Sequence, residues 1–188
     1  MQTAEIHTRL MKKYSNLIHK MTTPLCLCIL GVGLSFIASA CDSSDCPLNN
    51  TVMQKCGFYN TDGTILTVND TLTVTVRDSV ILNRLTGGSN IMLPMSYNEP
   101  ADTLVFIFKP VDAVAAVADT VVVSKTNTPH FVSLDCARSM FHTITGVSCS
   151  KRTPDAVYNY AIGKVVVTNA EVNYDEQENL QIFFNVYR

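Results

Sequence analysis

The strongest constraint in this sequence is a period of two. Thr71-Leu72-Thr73-Val74-Thr75-Val76 alternates polar and apolar residues, which sets Leu72, Val74 and Val76 on one face. Successive side chains of a strand point to opposite faces, so this pattern predicts a strand buried on one side. Leu104, Phe106 and Phe108 share a face, with Val105 and Ile107 opposite, and Leu180, Ile182, Phe184 and Val186 alternate near the end. Two β-branched runs, Val121-Val122-Val123 and Val165-Val166-Val167, fit strands buried on both sides. Turn signals punctuate these runs at Asn60-Thr61-Asp62-Gly63, Gly87-Gly88-Ser89-Asn90, Asn98-Glu99-Pro100 and Asn127-Thr128-Pro129. Strands roughly 8–12 residues apart read as one all-β domain, an immunoglobulin-like or related antiparallel β-sandwich. Residues 111–118 and 137–144 are candidates for short helical turns. The closing unit is a hairpin, with residues 164–174 against 179–187 through the loop Asp175-Glu176-Gln177-Glu178.

The first forty residues obey a different grammar. Lys12, Lys13, His19 and Lys20 precede an apolar run from position 25 to 37, and Ala38, Ser39 and Ala40 lead into Cys41. A basic start, an apolar middle and small residues at a cleavage site form a secretory signal. Its apolar run falls short of the roughly 20 residues a membrane-spanning helix needs. A cysteine directly after the small residues resembles the bacterial lipobox, with Ala38 at a position where leucine is usual. Cys41 is therefore the expected lipid-attachment residue, because diacylglyceryl is carried on a thioether. The organisation that follows is a signal peptide over 1–40, a lipidated polar tether over 41–50 and a β-sandwich domain over 51–188. Met11-Lys12-Lys13 is itself a typical signal opening, so translation starting at Met11 is an alternative beginning.

Removing the leader takes away Arg9, Lys12, Lys13, Lys20 and Glu5, which leaves 10 basic and 15 acidic residues. A net charge of that sign argues against binding nucleic acid through a basic patch and against a polybasic membrane contact. Membrane association is expected to come from lipid, acyl chains of the palmitate kind included, since two or more chains anchor stably. The localisation implied is the outer membrane, facing the periplasm or the cell surface.

Seven cysteines occur; Cys26 and Cys28 leave with the signal and Cys41 is acylated. Cys46, Cys56, Cys136 and Cys149 form an even set, which in an exported chain suggests two disulfides with three possible connectivities. The mature chain lacks a C-x-x-C, and His130 and His142 are its only histidines, so no metal site or cofactor is expected.

Catalytic patterns are equally thin. A nucleophile needs a base and an orienting group, and no Gly-x-Ser-x-Gly elbow surrounds any serine. Asp175, Glu176 and Glu178 crowd one loop rather than facing each other across a cleft as glycoside hydrolysis requires, and they lack calcium-loop spacing. Gly87-Gly88 lacks the strand-to-helix context of a phosphate loop. The expectation is a non-enzymatic protein, with an envelope protein or glycan as possible partner and a hydrolase as the third choice. Tyr97, Tyr158 and Tyr160 are the candidates for stacking on sugars.

Several stretches resemble an uncharacterised family of short Bacteroidetes lipoproteins over essentially the whole mature chain. They include Asp45-Cys46-Pro47-Leu48-Asn49-Asn50-Thr51, Leu93-Pro94-Met95-Ser96-Tyr97, Asn127-Thr128-Pro129-His130-Phe131, Met140-Phe141-His142 and the segment from Val172 to Asn179. The resemblance implies no activity. It does imply a pairing, because cysteines matching Cys46 and Cys136 occur together while those matching Cys56 and Cys149 look optional. The implied bridges are Cys46–Cys136 and Cys56–Cys149, with Cys46–Cys56 and Cys136–Cys149 second. Four Asp-Ser/Thr-aliphatic triplets resemble the O-glycosylation sequon of such exported proteins, making Thr71, Ser79, Thr103 and Thr120 candidate acceptors. The expected role is a lipid-anchored envelope protein that binds or supports, with an accessory glycan or ligand binder of an uptake or assembly complex as the alternative.

Overall fold

A computed structural model describes residues 51–187; the signal, the tether, Cys41 and Cys46 lie outside the described residues. The strands run in chain order as β1 (Met53–Asn60), β2 (Thr71–Val76), β3 (Ser79–Leu85), β4 (Asn90–Pro94) and β5 (Ala101–Lys109). They continue as β6 (Val117–His130), β7 (Ser139–Cys149), β8 (Tyr160–Val167), β9 (Glu171–Val172) and β10 (Glu178–Val186). Two sheets form, one ordered β4-β1-β10-β8 and the other β3-β2-β5-β6-β7-β9. They make an all-β sandwich, as the period of two implies.

One pair departs from the expected antiparallel pattern: β1 lies parallel to β10, while β1 is antiparallel to β4 and β10 to β8. Parallel neighbours cannot be joined by a tight turn. The first and last strands meet this requirement because the rest of the domain is their crossover. Their ladder slips at Lys55/Cys56, and buried Asn179 fills the slip. Its Oδ1 accepts from Lys55 N at 3.0 Å, and its Nδ2 donates to Asn169 O and Glu171 O at 3.1 and 2.8 Å. A side-chain amide here replaces ladder bonds that the irregular backbone cannot make.

The predicted apolar faces form the core. Leu72 and Val74, then Leu104, Phe106 and Phe108, then Leu180, Ile182 and Phe184 are all buried. Phe184 of β10 meets Phe58 of β1, Phe108 of β5 and Tyr160 of β8 edge to face, at centroid distances of 5.4, 5.8 and 6.4 Å. Phe108 belongs to the opposite sheet, so this ring joins the two layers. A charged link does the same: Asp119 of β6 takes Arg152 in a fork at 2.9 and 3.1 Å and also accepts Ile162 N of β8 at 3.0 Å. The forked geometry and the added backbone donor compensate a carboxylate that is 1% exposed.

Several sequence expectations are corrected. Residues 111–116 form turn and bend, and Val117 already opens β6; residues 139–149 are strand β7, not helix. Over 139–149 pairing with β6 outweighs any local helical preference, since local propensity is a weak prior. The valine runs are not buried on both sides. Val121 and Val123 are buried with Val122 between them only half-buried, and Val165, Val166 and Val167 are all half-buried. Both runs sit in sheets covered on one face. The closing hairpin pairs β8 with β10 but begins at Tyr160, and β9 leaves it to pair with β7 in the other sheet. Cys56 and Cys149 are both free thiols, so neither the Cys56–Cys149 bridge nor the Cys46–Cys56 and Cys136–Cys149 pair is present. Cys56 faces Leu180 and Ile91 in one sheet, and Cys149 faces Val121 in the other. Stacked sheets lie about 10 Å apart, whereas a disulfide needs Cα atoms within about 7 Å. Cys136 is disulfide-bonded.

The β2–β3 turn was not signalled by glycine. Arg77 and Asp78 take φ of 47° and 63°, the left-handed pair that a two-residue hairpin loop requires.

Truncating the ring that joins the layers should be costly. Phe184→Ala is expected to lower unfolding free energy by about 3–5 kcal/mol and Phe184→Leu by clearly less, read from urea denaturation. A loss below about 1 kcal/mol for the alanine variant would mean the ring is not a core contact.

Candidate functional site

β6 continues its inward register Asp119, Val121, Val123 into Lys125, a lysine that is 3% exposed. A buried ammonium must find acceptors or give up its charge. Lys125 Nζ donates to Ser96 O, Glu99 O and Asn127 Oδ1 at 2.6, 2.8 and 2.8 Å, with Asp102 Oδ2 at 3.7 Å. Asp102 Oδ2 also accepts Ser96 N at 3.1 Å, and Asn127 Nδ2 donates to Glu99 O at 3.0 Å. The lysine therefore holds the β4–β5 connection against β6. Burial pulls its pKa below the ordinary value, while the Asp102 charge opposes the shift.

His142 of β7 lies opposite Asn127 and is 2% exposed. Its Nδ1 stands 2.8 Å from Asn127 Oδ1, which already accepts from Lys125. An amide oxygen only accepts, so Nδ1 carries a proton toward it. Burial first, and then the Lys125 charge, push its pKa down to about 4.

Above this cluster opens a groove of about 430 Å³. Tyr97, Asn98 and Pro100 form one side, and Asn127, Pro129 and Met140 the other. Pro129 pairs with Met140 and His130 with Ser139, after which the chain turns through residues 131–138. That turn exposes Phe131, Val132 and Leu134, the last fully, and Tyr97 Oη reaches Arg138 O at 3.5 Å. Behind it, His130 stacks on Phe141 at 4.1 Å, and Tyr174 meets both rings edge to face while sharing a short hydrogen bond with Ser139.

A family model matches residues 64–184, described as a family of unknown function, DUF6452. The chain belongs to that family. No curated protein and no solved structure matches it. The matched segment of this DUF6452 member runs from before β2 to within β10, and so includes the polar cluster and the groove.

The residues singled out from the sequence scatter. His130 and His142 are on opposite faces of the β6–β7 pair, and neither is hydrogen-bonded to a carboxylate or a nucleophile among the described residues. Asp175 and Glu176 are exposed, whereas Glu178 turns back to accept Tyr59 Oη at 3.1 and 3.0 Å and Gln181 Nε2 at 3.0 Å. Among the described residues no three His, Cys, Asp or Glu side chains converge as a metal set. Of the tyrosines, Tyr97 lines the groove, Tyr158 is half-buried and Tyr160 is core. Of the candidate acceptors, Ser79 and Thr103 are exposed, and Thr71 and Thr120 half-buried. The aspartates of three triplets, Asp70, Asp102 and Asp119, are buried. The triplet is thus also what an inward Asp, an outward Thr and an inward aliphatic make at a strand start.

Sequence reasoning missed Lys125 and Asn127. The signal was present: Lys125 occupies the inward position of the series Val121, Val123, Lys125, and a lysine in a core register implies acceptors built around it.

Acid should weaken this domain through His142. An unfolded histidine takes its proton near 6.5 and the folded one only near 4. Stability is therefore expected to fall as pH drops from 6.5 to 4 and to level off below, by at most about 3 kcal/mol. His142→Gln should flatten urea-midpoint profiles in that window. An equally steep profile in the variant would assign the loss to other groups.

Proposed function

We propose that this protein is a lipid-anchored envelope protein with a non-enzymatic binding role, held at the outer membrane through Cys41. The leader grammar and the cysteine directly after Ala38-Ser39-Ala40 support the lipid anchor. The observation that carries the binding role is the open groove walled by Tyr97, Pro129 and Met140, running into exposed Phe131, Val132 and Leu134. Large apolar side chains grouped on a loop beside a groove mark an interaction site more often than they serve the fold. The partner is an envelope protein that covers this apolar end. Tyr97, 36% exposed in the groove, favours a second reading, an accessory component that holds a glycan or ligand for an uptake or assembly complex. Cys46 is the proposed partner of Cys136. Closing a loop of about 90 residues would stabilise by about 4–5 kcal/mol in the chain-entropy model.

Two measurements test the two parts. Cells fed an alkyne analogue of palmitate should label the wild type and not Cys41→Ser; an unlabelled wild type removes the anchor. A form beginning at Cys46 behind a cleavable, non-lipid export signal should still sediment partly with envelopes. Phe131→Asp with Leu134→Asp should release it. Equal release of both forms would remove the loop as a docking surface.

A further inference from the structure

The outward face of the six-stranded sheet holds a second cleft, of about 450 Å³. Its floor is Thr71 and Thr73 of β2 with Ile107 of β5, where Thr71 pairs with Lys109 and Thr73 with Ile107. Asn83 and Arg84 of β3 form one wall, and the β5–β6 connection with Val111 forms the other.

The β3 wall is irregular at the cleft itself. Leu72 pairs with Leu85 but Val74 pairs with Leu82, so Asn83 and Arg84 together stand opposite Thr73. Arg84 takes φ of 52°, the left-handed region that L side chains avoid, and its N–H donates to Thr73 Oγ1 at 3.3 Å. An extra residue in one strand re-aims the side chains around it, and strained backbone collects where a side chain is held for a ligand. Arg84 and Lys109 are exposed, and neither is in an ion pair among the described residues. Two unneutralised cations share one cleft on a chain whose overall charge is −2.

The lining limits what such a cleft accepts. A guanidinium fork matches a carboxylate in two parallel hydrogen bonds, and an ammonium adds a point charge. The hydroxyls of Thr71 and Thr73 and the Asn83 amide both donate and accept, as hydroxyl-bearing ligands require. Ile107 and Val111 offer apolar surface to C–H faces. A bare inorganic anion would use the hydroxyls only as donors and leave both apolar side chains unused. Nucleic acid would need a longer basic track than two residues.

We propose that this cleft binds a carboxylate-bearing saccharide. Arg84 pairs with the carboxylate, Lys109 adds charge, and Thr71, Thr73 and Asn83 bond the sugar hydroxyls. The cleft volume falls in the range of small-ligand sites, roughly 300–1,000 Å³. The site depends neither on the lipid anchor nor on the groove at Tyr97.

Isothermal titration of the full chain in detergent decides the matter. The probes are galacturonate and glucuronate oligosaccharides, the matching neutral oligosaccharides, and inorganic sulfate. At least one acidic saccharide should bind, with its neutral counterpart weaker by about tenfold or more. Arg84→Gln and Lys109→Gln should each weaken binding several-fold with unchanged melting temperature, and Arg138→Gln should not. Equal affinity for neutral sugar, sulfate binding as tightly as saccharide, full affinity in the double variant, or no binding by either acidic saccharide would each overturn the proposal.

Discussion

The parallel pairing of β1 with β10 is the constraint on which the rest of this domain depends. It seats the first and last described strands side by side in the middle of the four-stranded sheet, with β4 and β8 outside them. No local turn can make that contact, so it joins strands from the two ends of the described residues. Asn179 shows how closely the junction is matched. One amide satisfies a donor on β1, an acceptor on the passage between β8 and β9 and another at the start of β9. Phe184, six positions from the start of β10, then carries the same strand into the opposite sheet through Phe108.

Polar chemistry inside the sandwich follows from how its two layers are connected. Asp119 with Arg152 ties β6 to the backbone of β8, and Lys125 ties β6 to the β4–β5 connection. Buried ions of this kind seldom add net stability over apolar packing, because desolvation offsets most of the attraction. Their effect lies in geometry. A backbone carbonyl held by a buried ammonium cannot shift without stranding a charge, so the loop carrying Tyr97 is positioned by the interior of the domain. The neutral His142 beside that ammonium belongs to the same arrangement, since a second positive charge there would oppose the first.

The two clefts are built by different means. The groove at Tyr97 lies where connections meet at the ends of β4, β6 and β7, and its rim passes into an apolar loop. The cleft at Arg84 lies on a sheet face, made by an extra residue in β3 and by the long connection after β5. The first presents rings and aliphatic side chains, the second cations and hydroxyls. The two surfaces thus differ in chemistry as well as in construction.

Much of the fold was legible in the sequence. The alternations at Leu72-Val74, Leu104-Phe106-Phe108 and Leu180-Ile182-Phe184 named core residues correctly because side-chain direction along a strand is a local property. Turns at Gly63 and Gly87 were legible for the same reason, as each glycine takes a positive φ. The Arg77-Asp78 turn, β9 crossing to β7, and the free thiols at Cys56 and Cys149 were not legible, since they depend on which strands become neighbours. Neither candidate cleft could be read along the chain. Arg84 and Lys109 are 25 positions apart in sequence, and Tyr97 and Met140 are further apart still. The sequence by itself determined the all-β class and the inward residues of the strands, because each rests on neighbours in the chain. Only the tertiary structure decided the parallel β1–β10 closure, the partners of Lys125 and the two clefts, because pairing between distant strands is set by the packing of the whole domain.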